Sequence, residues 1–232
     1  MAAGFICVAG ISVETNQHVR PVCTRARLPL KWSSVEGGAF GVGNVVDLGP
    51  VRDLGAPPEV EDRQFREQHL RLIDRLSPEA FWDLLVEHHD TKLQRIFGSD
   101  LRLIGSACTT GSGQGKASLG VIVPSRIERL YAGGRGGGVR LAFDVGRAHL
   151  DLSVSDLRFY MMDDATASWK VDRIRLESVA FALDIGVPVM LSVGLTRPFK
   201  RDKGDIAQHW LQVNNIHLGD DPLGDLELSA SV

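Results

Sequence analysis

The 232-residue chain has no excess of positive charge: 26 Lys and Arg stand against 29 Asp and Glu, a net charge of −3. Tight non-specific nucleic-acid binders carry a clear basic excess, so any such activity here rests on a local patch and is modest or specific. Cysteine is scarce. Cys7, Cys23 and Cys108 lie far apart and form no CxxC pair, which argues against a secreted disulfide framework and a cysteine-built zinc site. Cys7 sits in an apolar run and is expected to be a buried small hydrophobe. No run approaches the length needed to cross a bilayer. A basic region followed by a long apolar core is missing near Met1, so no signal peptide is expected. The chain reads as soluble and cytoplasmic.

What is present is an ordinary globular composition, 44% hydrophobic and 24% charged, at a length that suits one large domain or two small ones. The 25 glycines and 10 prolines imply many turns and lean toward β-structure. The most informative stretch runs from Val189 to Asp221. An apolar run, Val189 to Leu195, and a second strand-like run, His209 to Leu218, flank a charged segment, which is a hairpin signal. In the second run Leu211 and Val213 point one way and Trp210, Gln212 and Asn214 the other. A ring beside amides stacks on a base and hydrogen-bonds its edge, and Arg197, Lys200, Arg201 and Lys203 add positive charge. The plainer alternative is a wet hairpin face.

Elsewhere, residues 5–11, 18–22 and 44–51 read as short strands, with Pro21 confining its strand to an edge or ending it. Glu59 to Leu76 places Phe65, His69, Leu72 and Ile73 near helical spacing. Ser77-Pro78-Glu79 then starts a second helix, with Ser as N-cap, Pro at the first position and an acid in the first turn. His88 and His89 are adjacent and point about 100° apart on a helix, so they do not chelate as an i, i+4 pair would. Thr110 to Lys116 looks like a phosphate loop, but a P-loop needs GxxxxGK[ST] before a helix. Here a strand, Leu119 to Val123, follows, so nucleotide hydrolysis is rejected; Lys116 and loop N–H groups facing an anion remain a weak possibility. Gly133 to Gly138 is the clearest break. Short strands follow it, then a helix within Ser168 to Asp184. The expected architecture is mainly β with helical insertions, two small OB-like barrels in tandem: 1–132, with a helical insertion over about 59–97, and 139–232.

Several stretches resemble the bacterial dual OB-fold domain family. They are Cys7-Val8-Ala9-Gly10-Ile11 leading to Val19-Arg20-Pro21-Val22, Ala117-Ser118-Leu119-Gly120, and Ser153-Val154-Ser155-Asp156-Leu157. Gly194-Leu195-Thr196-Arg197-Pro198-Phe199 and His209-Trp210-Leu211-Gln212-Val213-Asn214-Asn215-Ile216-His217 complete the set. The resemblance implies a nucleic-acid- or nucleotide-binding module, often placed near bacterial conflict and defence systems, and it assigns no active site.

The leading expectation is therefore a non-catalytic binder of single-stranded nucleic acid. Trp210, Tyr160 and Trp32 would be stacking platforms, Arg197, Lys200, Arg201 and Lys203 would contact the backbone, and Gln212, Asn214 and Asn215 would read base edges. The alternatives are a sensor of a small nucleotide or modified base and a protein-interaction scaffold. Catalysis is disfavoured: His209 and His217 would lie roughly 26 Å apart along a strand at about 3.3 Å per residue, too far to share an ion. No metal, cofactor or membrane partner is expected.

Overall fold

The computed structural model describes residues 5–23, 28–134, 137–163, 168–202 and 204–224. Nine of its strands matter below: β1 (His18–Val22), β2 (Asp62–Gln64), β3 (Ala107–Gly111), β4 (Leu119–Ile122), β5 (Arg126–Gly133), β6 (Gly138–Val145), β7 (Ala148–Val154), β8 (Val189–Leu195) and β9 (Gln208–Leu218). Three α-helices lie among the described residues: α1 (Pro78–His88), α2 (Leu93–Phe97) and α3 (Arg173–Asp184).

The main sheet runs β5-β6-β7-β9-β8-β4, then His89–Asp90, with β3 and Arg102–Ile104 attached through β9. Alternation builds it. Along β6, Val139, Leu141, Phe143 and Val145 are buried while Arg140 and Asp144 are only partly so, which is the period-two sorting of a sheet with one face on the core. Leu150, Leu152 and Val154 of β7 and Leu191, Val193 and Leu195 of β8 face the same core. Full burial of each such side chain contributes about 1.5–3 kcal/mol. β5, β6 and β7 form a meander, α3 follows, and β8 and β9 return as an antiparallel hairpin. β9 lies parallel to β7 through Val154 and Val213. This is the five-stranded pattern of an OB fold, mainly β as the sequence suggests. Gly133 and Gly138 face each other across the β5–β6 hairpin, so the strands on either side of the glycine-rich stretch belong to one sheet.

The first half has its own core of Ile6, Leu28, Trp32, Phe40 and Phe65, flanked by small sheets. In one of them β1 lies parallel to β2. The helix expected over Glu59 to Leu76 is not formed: β2, a 3₁₀ turn at Glu67–His69 and a strand at Arg71–Arg75 occupy it. Leu72 and Ile73 are exposed, so the spacing that suggested a helix marks no buried face. Cys7 is exposed, contrary to expectation: it follows the two-residue strand Phe5–Ile6, in which Ile6 is the buried residue.

The second helix forms as its start signal indicates. Ser77 caps the Ala80 N–H at 3.2 Å and Pro78 opens the first turn of α1. Leu85 packs with Val121 and Met190 over the outer face of β4 and β8, beside Phe81 and Trp82. α3 starts on Asp172, which accepts from Arg175 N–H at 3.0 Å, and buries Leu176, Val179 and Leu183. It ends at Gly186, whose φ of 85° is the left-handed conformation that favours glycine.

β9 carries a bulge. Val213 pairs with Val193 but Asn215 pairs with Ser192, leaving Asn214 as the extra residue. The bulge reverses parity: Leu211 and Val213 are buried before it, Ile216 and Leu218 after it. His209 and His217 therefore project from opposite faces of the strand. His217 is sealed under the Phe81 ring, 5.2 Å between centroids, with its ring nitrogens 2.9 Å from Ser192 Oγ and 3.0 Å from the Pro222 carbonyl. Burial, followed by the nearby Arg158 charge, depresses its pKa to about 4, against opposing effects of the Pro222 bond and Asp156.

Between pH 6.5 and 4 the unfolded chain thus binds a proton at this position that the folded chain refuses, so stability falls as pH drops through that window. The expected loss attributable to His217 by pH 4 is on the order of 3 kcal/mol. Urea unfolding at stepped pH checks it; a flat profile above pH 4 refutes it.

Candidate functional site

The outer face of β6, β7 and β9 carries the side chains best placed to meet a ligand. Trp210 and Gln212 project from β9 on the side opposite the buried Leu211 and Val213, as the alternation indicates. The Trp210 ring is half-buried, and the loop between β8 and β9 explains why. That loop folds back onto the sheet so that the Arg201 guanidinium lies 3.4 Å from the ring centroid, with Phe199 tilted against it at 6.5 Å. The indole Nε1 is buried without a hydrogen-bond partner among the described residues. Burial, then the neighbouring Arg140, lowers the pKa of Arg201 from its ordinary value, opposed by Asp202. No carboxylate among the described residues forms an ion pair with Arg201.

Arg140 comes from β6. Its Nε donates to Asp151 Oδ1 at 3.0 Å, and Tyr131 of β5 donates to Asp151 Oδ2 at 2.8 Å. The Arg129 guanidinium sits 4.3 Å from the Tyr131 ring centroid. The face thus presents two aromatic rings, each under a guanidinium, with Arg140 held between them by one carboxylate. Such stacking holds a guanidinium against a ring while leaving hydrogen-bond donors at its edge. Sequence reading missed Tyr131, Arg129 and Arg140. The one signal was Leu130 and Ala132 alternating with Tyr131, a strand pattern beside the glycine-rich turn.

The remaining predicted residues fare unevenly. Lys200 is exposed in the same loop, and Lys203 lies outside the described residues. Gln212 Nε2 donates to Ser155 Oγ at 3.1 Å and Asn214 Oδ1 at 3.0 Å, so the two amides are tied to each other. Asn215 lies beyond the bulge, opposite Ser192, and the parity reversal keeps it on the same outward face as Gln212. Trp32 is corrected: it is 8% exposed in the N-terminal core, 5.5 Å from Phe65, and its Nε1 donates to Glu67 at 3.3 Å. Tyr160 is corrected too. Its hydroxyl accepts from Val139 N–H at 3.0 Å and donates to the Val154 carbonyl at 2.9 Å, clasping β6 to β7.

Arg197 serves a different structure. Its guanidinium binds Glu59 Oε1 at 2.9 Å and Asp62 Oδ2 at 2.6 Å. Burial alone would lower its pKa, but Asp62 and Glu59 outweigh it and raise the value. Asp62 also meets Arg20, which is 4% exposed, at 3.4 Å. Arg20 continues to Ser118 Oγ at 2.7 Å, and Ser118 is held by Glu61 through its hydroxyl at 2.7 Å and its N–H at 2.8 Å. His209, fully buried beside Glu59, has Nδ1 2.8 Å from the Thr196 carbonyl. Arg20, Ser118, Arg197 and His209 stand on four separate stretches of sequence, and this network gathers them at the seam between the N-terminal strands and the main sheet. Among the described residues no group of three or more His, Cys, Asp or Glu side chains is arranged to hold a metal.

Removing Asp62 leaves the buried Arg20 guanidinium without its carboxylate and takes one of two carboxylates from Arg197. Breaking a buried pair on one side costs about 3–5 kcal/mol, so Asp62→Ala is expected to lower the unfolding midpoint sharply in thermal or denaturant melts. Arg140→Ala on the open sheet face is expected to change it little, and equal effects would refute the distinction.

No curated protein and no solved structure matches the chain. Residues 2–216 match the description of a dual OB-containing domain, a span that takes in both the N-terminal strands and the five-stranded unit. With the strand order and the converging segments in view, the chain belongs to the dual OB-containing domain family.

Proposed function

We propose that the protein is a non-catalytic binding module for single-stranded nucleic acid, engaged on the outer face of β6, β7 and β9. An OB fold takes oligonucleotides across its second and third strands and between the loops that join its first to second and fourth to fifth strands. Here those strands are β6 and β7, and those loops are the glycine-rich turn before β6 and the basic segment before β9. The observation that carries the reading is Arg201 lying on the Trp210 ring within electrostatic reach of Arg140. Two guanidinium groups near one another attract phosphate, opposed by Asp151 on Arg140 and Asp202 beside Arg201. The rings beneath the guanidinium groups supply stacking surface. A base either displaces Arg201 from the indole or stacks on the outer plane of the guanidinium, a mode of recognition used for single strands.

The net charge of −3 sets the scale. Attraction is local, so affinity comes from stacking, about 1–3 kcal/mol per base, with a small number of phosphate contacts from Arg201, Arg140, Arg129 and Lys200. A role within a bacterial conflict or defence system fits a module that recognises a strand without cutting it.

Fluorescence anisotropy with a short labelled oligonucleotide across a salt series tests the reading. Three or four neutralised phosphates give a slope of log K against log salt of about −2 to −3 for a single strand. Trp210→Ala is expected to weaken binding by about 5- to 150-fold, the equivalent of one lost stack, with the melting curve nearly unchanged. No binding at low salt, or a Trp210→Ala protein that binds as well as the original, rejects the proposal.

A further inference from the structure

The five-stranded unit carries an addition. Arg102–Ile104 and β3 form a hairpin around Gly105 and Ser106, with Gly105 at φ 60°, the backbone that a two-residue turn with glycine in first place requires. Among the described residues β7 and β9 pair only at Val154 and Val213. Toward the start of β9 the hairpin enters between them. Thr109 pairs with Trp210 and Gly111 with Gln208, while the Ser106 carbonyl accepts from the Asp151 N–H at 2.9 Å. On the reading of the outer face as a single-strand site, we propose that this hairpin lengthens it by one subsite, in which Arg102 binds the phosphate beside the base held on Trp210.

Register fixes the face. Residues directly opposite one another in an antiparallel pair share a side of the sheet. Arg102 is opposite Thr109, and Thr109 is opposite Trp210, so the arginine, the threonine and the indole stand in one transverse row on the outward side. Cys108, of the other parity, confirms this: it is 3% exposed and packed in the inner core. Two strand spacings of about 4.8 Å each separate the Arg102 and Trp210 backbones, which lets a guanidinium meet the phosphate flanking a base stacked on the indole.

The charge in this row is uncommitted. Arg102 is exposed and forms no hydrogen bond or ion pair among the described residues. The acid nearest to it in sequence, Asp100, accepts from the Gly115 N–H at 3.2 Å. Asp151, on β7, is engaged by Arg140 and Tyr131. Gln208, two residues before Trp210, shares its side of β9. One end of the Gln208 amide lies 2.8 Å from Thr109 Oγ1, and the other end has no partner among the described residues, so it is open to a base edge. Three adjacent strands thus bring together a ring, an amide and an unpaired guanidinium, the groups that stack a base, bond its edge and hold its phosphate.

The hairpin is held from two sides. β3 is paired with β9 over Thr109 to Gly111, with Thr109 Oγ1 2.8 Å from the His209 carbonyl, and the turn is tied to β7 through Ser106. Ordering Arg102 on such a support costs a ligand only the freedom of one side chain. Ile104, two residues further on, lies on the same side and is 53% exposed, so the hairpin adds apolar surface beside the cation and no carboxylate.

Fluorescence anisotropy of the intact protein with a labelled single strand of about 12 nucleotides, within the span of one OB fold, tests the subsite across a salt series. Arg102→Gln is expected to weaken binding about fivefold at low salt, the loss of one well-placed exposed ion pair. It is also expected to reduce the slope of log K against log salt by about 0.7, the share of one phosphate. Arg102→Lys is expected to keep the slope of the parent, because the phosphate responds to the charge. Arg173→Gln removes the same charge from an exposed position on α3, whose buried residues belong to the inner core, and is expected to leave slope and affinity unchanged. A parent slope in Arg102→Gln beside weakened binding by Trp210→Ala overturns the subsite and leaves the reading of the sheet face intact. Equal losses in Arg102→Gln and Arg173→Gln, or an Arg102→Lys protein that behaves like Arg102→Gln, overturn the subsite as well. A parent protein that binds no strand overturns both.

Discussion

A guanidinium that is 4% exposed has to be matched inside the protein, and the fold is assembled around that requirement. Arg20 on β1 is answered by Asp62 on β2, and Asp62 is shared with Arg197 from the end of β8. Glu61, next in sequence to Asp62, accepts from Ser118 at the edge of β4. Four distant segments are therefore held by one chain of charge-assisted bonds, strengthened by burial. Such a cluster adds less net stability than well-packed apolar residues would, but it tolerates no alternative pairing. It sets the orientation of the N-terminal strands on the main sheet.

A second polar anchor works within the five-stranded unit. Asp156, 1% exposed, accepts from Arg158 at 2.7 Å and from the Ile216 N–H at 3.2 Å. Burial alone would raise its pKa, but the Arg158 charge and bonds outweigh it and hold the carboxyl below its ordinary value. The end of β7 is thereby pinned to β9 just beyond the bulge. Trp210 and Gln212 precede the bulge, and its parity reversal keeps Asn215 and His217 on the same outward side, where Phe81 of α1 covers His217. The open part of that face is consequently short. Its reach is extended by the loop before β9, which lays Arg201 across the indole.

Sequence reasoning was strongest where the signal was local. The Ser77-Pro78-Glu79 start of α1, the β8–β9 hairpin, and the alternation that turned Trp210 outward and Leu211 inward each depend on neighbours a few residues away. It failed where distant contacts overrode local pattern. Glu59 to Leu76 has helical spacing, yet Asp62 is drawn into β2 by its pairing with Arg20. Trp32 sits in a polar, glycine-rich stretch that looks like a surface loop, yet it is packed against Phe65. Tyr160 looked like a platform until its hydroxyl was found between two strands.

The amino-acid sequence by itself determined the mainly β class, the charged hairpin and the absence of any basic excess, because these follow from composition and from periodicities of two and 3.6 residues; the family came from the resemblance of short segments, not from composition or period. Only the tertiary structure decided which cations are free. Arg197 and Arg201 are four residues apart in one loop, but the first is spent on Glu59 and Asp62 while the second rests on an aromatic ring. The same holds for Arg63 and Arg95: the first is paired with Asp53 at 3.0 Å, while the second has Asp90 no nearer than 3.8 Å. Whether a charge is satisfied depends on what lies within a few ångströms in space, and linear sequence does not carry that distance.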